Sequence, residues 1–131
     1  MTYDFTVFDS IPATPQQIYD AWLNSQGHTN ITGGALAEIS ALEGAPFTAW
    51  DGYITGHNIT LEPGKRIVQA WRTGEFTDAD SDSQIDVLLE PVADGTQITI
   101  HHTNVPDRLT GYQNGGWQEN YFDTMKAFFS I

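Results

Sequence analysis

The sequence predicts an α+β domain in two layers: an antiparallel sheet of about six strands with a long C-terminal helix laid across it. Three observations carry this. Between Leu36 and Val105, apolar and polar residues alternate at the period of a half-buried strand. Two dipeptides suited to tight turns, Pro63-Gly64 and Asp94-Gly95, separate such runs. After Pro106 the apolar spacing changes to three and four, the helical period. Hairpin-ordered strands with helices gathered on one face define the architecture.

In "YDFTVFD", Tyr3, Phe5 and Val7 alternate with Asp4 and Thr6, which predicts a first strand. The next segment carries a helix start. Thr14 is positioned to cap, Pro15 occupies the first helical position, where its missing N–H costs nothing, and Gln17 completes a capping box. Ile18, Ala21 and Trp22 share one face of this helix, and Gly27 is its predicted stop. "ALAEIS" reads as a second strand and "PFTAW" as a third. "YITGHNITLE" and "KRIVQAWR" flank Pro63-Gly64 as a hairpin whose simplest register sets Trp71 opposite Gly56, with room there for the indole. "SQIDVLLEP" and "TQITIHHTNVP" flank Asp94-Gly95; Ile85, Val87, Leu89, Ile98 and Ile100 share a face. His102 has the same parity and is predicted to point inward, with His101 pointing away. Leu109, Trp117, Tyr121, Phe122, Met125, Phe128 and Phe129 follow the helical period. Gly115 and Gly116 each weaken a helix by about 1 kcal/mol against alanine, so the long helix is predicted to begin near them, after a preceding turn.

A chain of 131 residues without repeat or linker fits a single domain, residues 1–131. Its 40% hydrophobic content is that of a folded globular protein rather than a disordered one. No apolar run is long enough to cross a membrane, and the N-terminus lacks the basic start and apolar run of a secretory signal. Cysteine is absent, which removes disulfides, thiolate nucleophiles and cysteine-based metal sites; the expected location is cytoplasmic. Seventeen acidic residues against five basic ones leave a net charge of −12. That balance argues against nucleic acid and anionic membrane surfaces as partners, and is read as a solvated surface or an acidic docking face for a basic partner. "DADSD" (Asp78 to Asp82) lacks the glycine and distal glutamate of a calcium loop and reads as a polar loop. His101 and His102, being adjacent on a strand, face opposite ways and do not form a chelating pair; no metal or cofactor is expected. Arg72 is expected to pair with Asp51 or Glu75. No phosphate loop, nucleophile elbow or zinc-histidine helix is present, so no catalytic residue is assigned and a non-enzymatic role is expected.

The words "ITGGALAEIS", "GAPFTAWDGYITGHNITLEPGKRIVQAWR", "GTQITIHHTNVP" and "GGWQENYF" make nearly the whole chain resemble the homologues of the activator of the ninety-kilodalton heat-shock chaperone ATPase, within the START-like (SRPBCC) superfamily. The resemblance implies a helix-grip fold, like that of the birch-pollen allergen, with a curved sheet wrapped on the terminal helix and an apolar cavity between them. It further implies a hydrophobic small molecule as ligand. A chaperone-interacting stress-response regulator and a cyclase- or hydrolase-like enzyme are the alternatives. The eukaryotic activator carries a separate N-terminal domain, and this chain opens directly on the first strand of the START-like unit.

The candidate cavity residues are Trp22, Trp50, Tyr53, Trp71, Val87, Ile100, His102, Tyr112, Trp117, Tyr121 and Met125. Aromatic side chains with a few polar anchors are the usual lining of a small-molecule site, and the same side chains also serve as plain core. His102 is the leading polar anchor. The bland alternative is a structural histidine bonded to a backbone carbonyl, Tyr112 or Tyr121.

Overall fold

A computed structural model describes residues 1–130; Ile131, the end of the predicted helix, lies outside the described residues. Six strands form one antiparallel sheet: β1 (Thr2–Ile11), β2 (Pro46–Ala49), β3 (Ile54–Glu62), β4 (Arg66–Thr73), β5 (Ser83–Val92) and β6 (Gly95–Pro106). Their order is β1-β6-β5-β4-β3-β2, so a meander of five strands is closed at one edge by the first. Helices α1 (Pro15–Trp22) and α2 (Ser25–Ile31) follow β1, and α3 (Asp123–Phe129) ends the chain.

The first helix starts as predicted. Gln17 N–H donates to Thr14 Oγ1 at 3.1 Å, and Thr14 N–H donates to Gln17 Oε1 at 2.8 Å. Its end is corrected. Helix α1 closes at Leu23, and Asn24 caps α2 by accepting from Gly27 N–H at 2.9 Å. Gly27 therefore lies inside a helix rather than stopping one. A Cβ there would stand 2.7 Å from both Cα and the carbonyl oxygen of Ala21, so the glycine lets α1 and α2 approach closely.

"ALAEIS" is not a strand; it makes one isolated bridge, Glu38 to Thr48. The reason lies in its donors. Leu36 N–H is taken by Asp51 Oδ1 (3.0 Å), Ala37 N–H by Thr29 Oγ1 (3.0 Å) and Ile39 N–H by Ser25 Oγ (3.0 Å), so side chains replace the ladder. The predicted third strand loses its last residue: β2 ends at Ala49, and Trp50–Gly52 form a short 3-10 turn.

The first hairpin sets Trp71 opposite Gly56 as predicted, with a bulge between Asn58 and Thr60, whereas in the second the turn falls one residue earlier than Asp94-Gly95, because Val92 pairs with Gly95. The role of Gly56 differs. A Cβ there would stand 1.9 Å from the Ala70 carbonyl oxygen and 2.9 Å from the Phe47 ring, so the glycine accommodates the neighbouring backbone rather than an indole. Ile85, Val87, Leu89, Ile98, Ile100 and His102 are all buried on the concave face, and His101 is half-exposed, as the alternation predicts. A polar thread ties the layers beneath: Trp22 Nε1–H donates to Gln69 Oε1, Gln69 donates to Asn58 Oδ1, and Asn58 Nδ2 donates to the carbonyls of Ser40 and Leu42. Every buried amide in it finds a partner, which is what permits glutamine and asparagine in a core.

The terminal segment is helical from Tyr112 but is not one regular rod. Asn114 (ψ 45°) and Gly115 (φ 115°) interrupt it, a wide π-type turn spans Gln118–Phe122, and α3 continues to Phe129. Leu109 precedes the helix. Trp117, Tyr121, Phe122 and Met125 are buried in one cluster with the concave face of the sheet and Trp22 of α1.

Candidate functional site

Where β3 begins and β4 ends, the sheet and the start of the terminal helical segment enclose a pocket of about 260 Å³. Six predicted candidates line it: Trp50, Tyr53, Trp71, Tyr112, Trp117 and Tyr121. The other five do not. Trp22, Val87, Ile100 and Met125 are core, each at most 1% exposed, and His102 is wholly buried beneath the pocket wall. Ile54, Glu75, Gly111, Gly116 and Asn120 complete the lining and were not anticipated. Ile54 had a signal in its strand parity. Glu75 and Asn120 had none, being polar residues in polar surroundings.

Each aromatic wall is held by its neighbours. The rings of Trp71 and Trp117 lie 5.3 Å apart between centroids, Trp117 and Tyr121 4.9 Å apart, and Tyr112 stands edge-on to Trp71 at 5.1 Å. Such pairs add about 0.5–1.5 kcal/mol beyond their burial.

Two histidines hold the wall from behind. An indole N–H only donates, so Trp117 Nε1–H donates to His102 Nδ1 (3.1 Å), and that nitrogen carries no proton. Ser83 Oγ donates to the Trp71 carbonyl (2.6 Å), so it accepts from His102 Nε2–H (2.9 Å). Burial holds His102 neutral, with its pKa down at about 3. The histidine is thus a positioning residue for Trp117 and not a ligand anchor. With its one lone pair occupied it is no general base in this arrangement. Its partners are Ser83 and Trp117, not a carbonyl or a tyrosine as sequence reasoning had offered.

His28 does the same for Tyr121. Its Nδ1–H donates to the Trp22 carbonyl (2.8 Å), its Nε2 accepts from the Tyr121 hydroxyl (2.8 Å), and burial lowers its pKa to about 4. Sequence reasoning missed His28 because taking Gly27 as a helix stop placed it in a loop.

The rim is polar. Tyr53 donates its hydroxyl to Glu75 Oε1, and the Tyr112 hydroxyl, bonded to Thr73 Oγ1, lies 3.5 Å from the same oxygen. Burial raises the pKa of both Tyr53 and Tyr112. Trp50 sits at φ 52° and Asp51 at φ 58°, a left-handed pair that non-glycine residues seldom adopt. The turn is pinned by Asp51 N–H donating to the Leu36 carbonyl and by the Leu36 N–H donating to Asp51 Oδ1. Trp50 Nε1 is buried without a hydrogen-bond partner among the described residues. Arg72 pairs with Asp82 (2.6 Å) rather than with Asp51 or Glu75, and Arg108 pairs with Asp80. The acidic loop is therefore partly tied down by two arginines. No group of histidines and acids among the described residues is arranged to hold a metal ion.

A curved antiparallel sheet gripping a C-terminal helical segment, with an aromatic pocket at the open end, defines a START-like protein of the helix-grip class. Residues 12–130 match the family model "Activator of Hsp90 ATPase homolog 1-like protein", and the chain belongs to that family. It is 29% identical over 125 residues to an activator of 90 kDa heat shock protein ATPase homolog from Dictyostelium discoideum, covering 93% of this chain but 32% of that relative. Among solved structures, an HSP90 activator from Plasmodium falciparum superposes with a TM-score of 0.87 at 20% identity, covering 98% of this chain and 96% of that one. Ara h 8.0201 superposes over 100% of both chains with a TM-score of 0.75 at 13% identity, which shows the same fold.

Proposed function

We propose that this chain binds a small, largely apolar molecule in the pocket at the end of the sheet. The observation that carries the reading is six aromatic side chains lining one pocket of about 260 Å³ with a polar rim. That volume falls just below the ~300–1,000 Å³ of drug-sized sites, so the ligand is smaller than a sterol or a lipid. Binding works by burial: the rings remove apolar surface from water, and the rim groups set orientation. No described helix is long and apolar enough to cross a membrane. The reading takes the protein to act in the cytoplasm. Trp50, Trp71 and Trp117 are built-in reporters. Titrating small aromatic and aliphatic compounds should give a saturable change in tryptophan fluorescence and raise the melting temperature. No saturable change and no thermal shift across the library would overturn the reading.

A second reading, regulation of a chaperone through protein contacts, is favoured by the Dictyostelium discoideum relative, of which this chain spans about a third. It predicts that the purified chain raises the ATPase rate of its cell's own Hsp90. An unchanged rate, with no complex on co-sedimentation, would count against it.

A further inference from the structure

The lining of the pocket carries a charge pattern as well as an apolar one. Six aromatic rings surround it, Glu75 supplies its one carboxylate, and no basic side chain lines it. Among the described residues Glu75 forms no ion pair, and both tyrosine hydroxyls address Oε1, leaving Oε2 without a partner there. Four of the five basic side chains are paired with other carboxylates, those of Glu62 and Asp86, Asp82, Asp80 and Asp9, and Arg108 also donates to the Glu75 backbone carbonyl at 3.3 Å. The field of a chain at −12 repels an anionic guest and draws in a cationic one. Aromatic rings present their negative quadrupole to cations, and indole does so best. Trp50, which lines the pocket, sits in a left-handed turn, and strained backbone of that kind gathers at binding sites.

We propose that the pocket takes a small organic cation, a methylated ammonium, rather than a neutral hydrocarbon. This rests on the reading of the pocket as a ligand site. The rings and Glu75 receive the ammonium. Methylation suits the site because a bare ammonium is strongly hydrated and costs more to bring among apolar rings. The pocket's modest volume suits a guest of this size.

The test is calorimetric titration of the full chain with choline, tetramethylammonium and the neutral carbon isostere of choline, in which a tert-butyl group replaces trimethylammonium. Choline is expected to bind at least about tenfold more tightly than the isostere, the effect of one desolvated cation–ring contact set. Glu75→Gln should weaken choline more than the isostere and so reduce that difference. Trp50→Phe should weaken choline and tetramethylammonium alike, because indole is the better ring for a cation. Should that variant fail to fold, the choline–isostere pair on the unaltered chain still decides. Equal or tighter binding of the isostere overturns the cation inference and leaves the apolar pocket standing. Saturation by none of the three, nor by any apolar probe, overturns both.

Discussion

At the scale of single residues, His102 shows how one parity rule locates a side chain without revealing its work. Alternation along β6 placed it inward, and it is inward, yet both its nitrogens serve the protein. Replacing it by phenylalanine leaves the Trp117 N–H buried and unsatisfied. His102→Phe should therefore cost about 1–3 kcal/mol in a urea unfolding titration, the usual penalty of an orphaned buried donor. Its ligand affinity should fall as well, since Trp117 loses the bond that orients it. Trp50 marks the opposite limit. Its strand-like surroundings in "PFTAW" gave no sign that the chain turns left-handed there, because the turn is set by Leu36 and Asp51 pairing across a distance of fifteen residues.

At the scale of elements, strong local signals survived and weak ones were overruled. The capping box at Thr14 and the places of both hairpins involve residues within a few positions, so the sequence displays them, though not the exact turn residues. "ALAEIS" has strand composition, but its donors are consumed by Ser25, Thr29 and Asp51, which no periodicity announces. Gly27 provides a prediction with a definite sign. Glycine to alanine inside a helix normally stabilises by about 1 kcal/mol. Here the new Cβ meets the Ala21 backbone at 2.7 Å, and overpacking against backbone costs about 1–3 kcal/mol. The steric cost wins, so Gly27→Ala should lower the midpoint of chemical unfolding, whereas a rise would show that α1 and α2 can separate freely.

At the scale of the whole molecule, stability should depend on pH through two buried histidines. Both are neutral when folded, with pKa values of about 4 for His28 and about 3 for His102, below the ordinary 6.5 of the unfolded chain. Below pH 6.5 the unfolded state takes up protons that the folded state refuses, so stability falls as the solution is acidified. Each histidine contributes up to about 1.4 kcal/mol per pH unit until its folded pKa is reached. Unfolding titrations between neutral pH and about pH 4 should show this decline, and His28→Gln should flatten it. An equal slope in that variant would mean that His28 is charged in the folded protein.

The sequence by itself determined the layers, the hairpins, the inward faces of β5 and β6 and the family, because these depend on local periodicity and on recognisable words such as "GGWQENYF". Only the tertiary structure decided which aromatics fill the core and which line a pocket. Val87, Ile100 and Met125 share the parity of a pocket wall but lie under it, while Glu75 and Asn120 reach the pocket from loop and helix. Facing inward is a property of one strand or helix. Bordering a void is a property of where several of them stop filling space, and that is settled only when the sheet and the terminal helix meet.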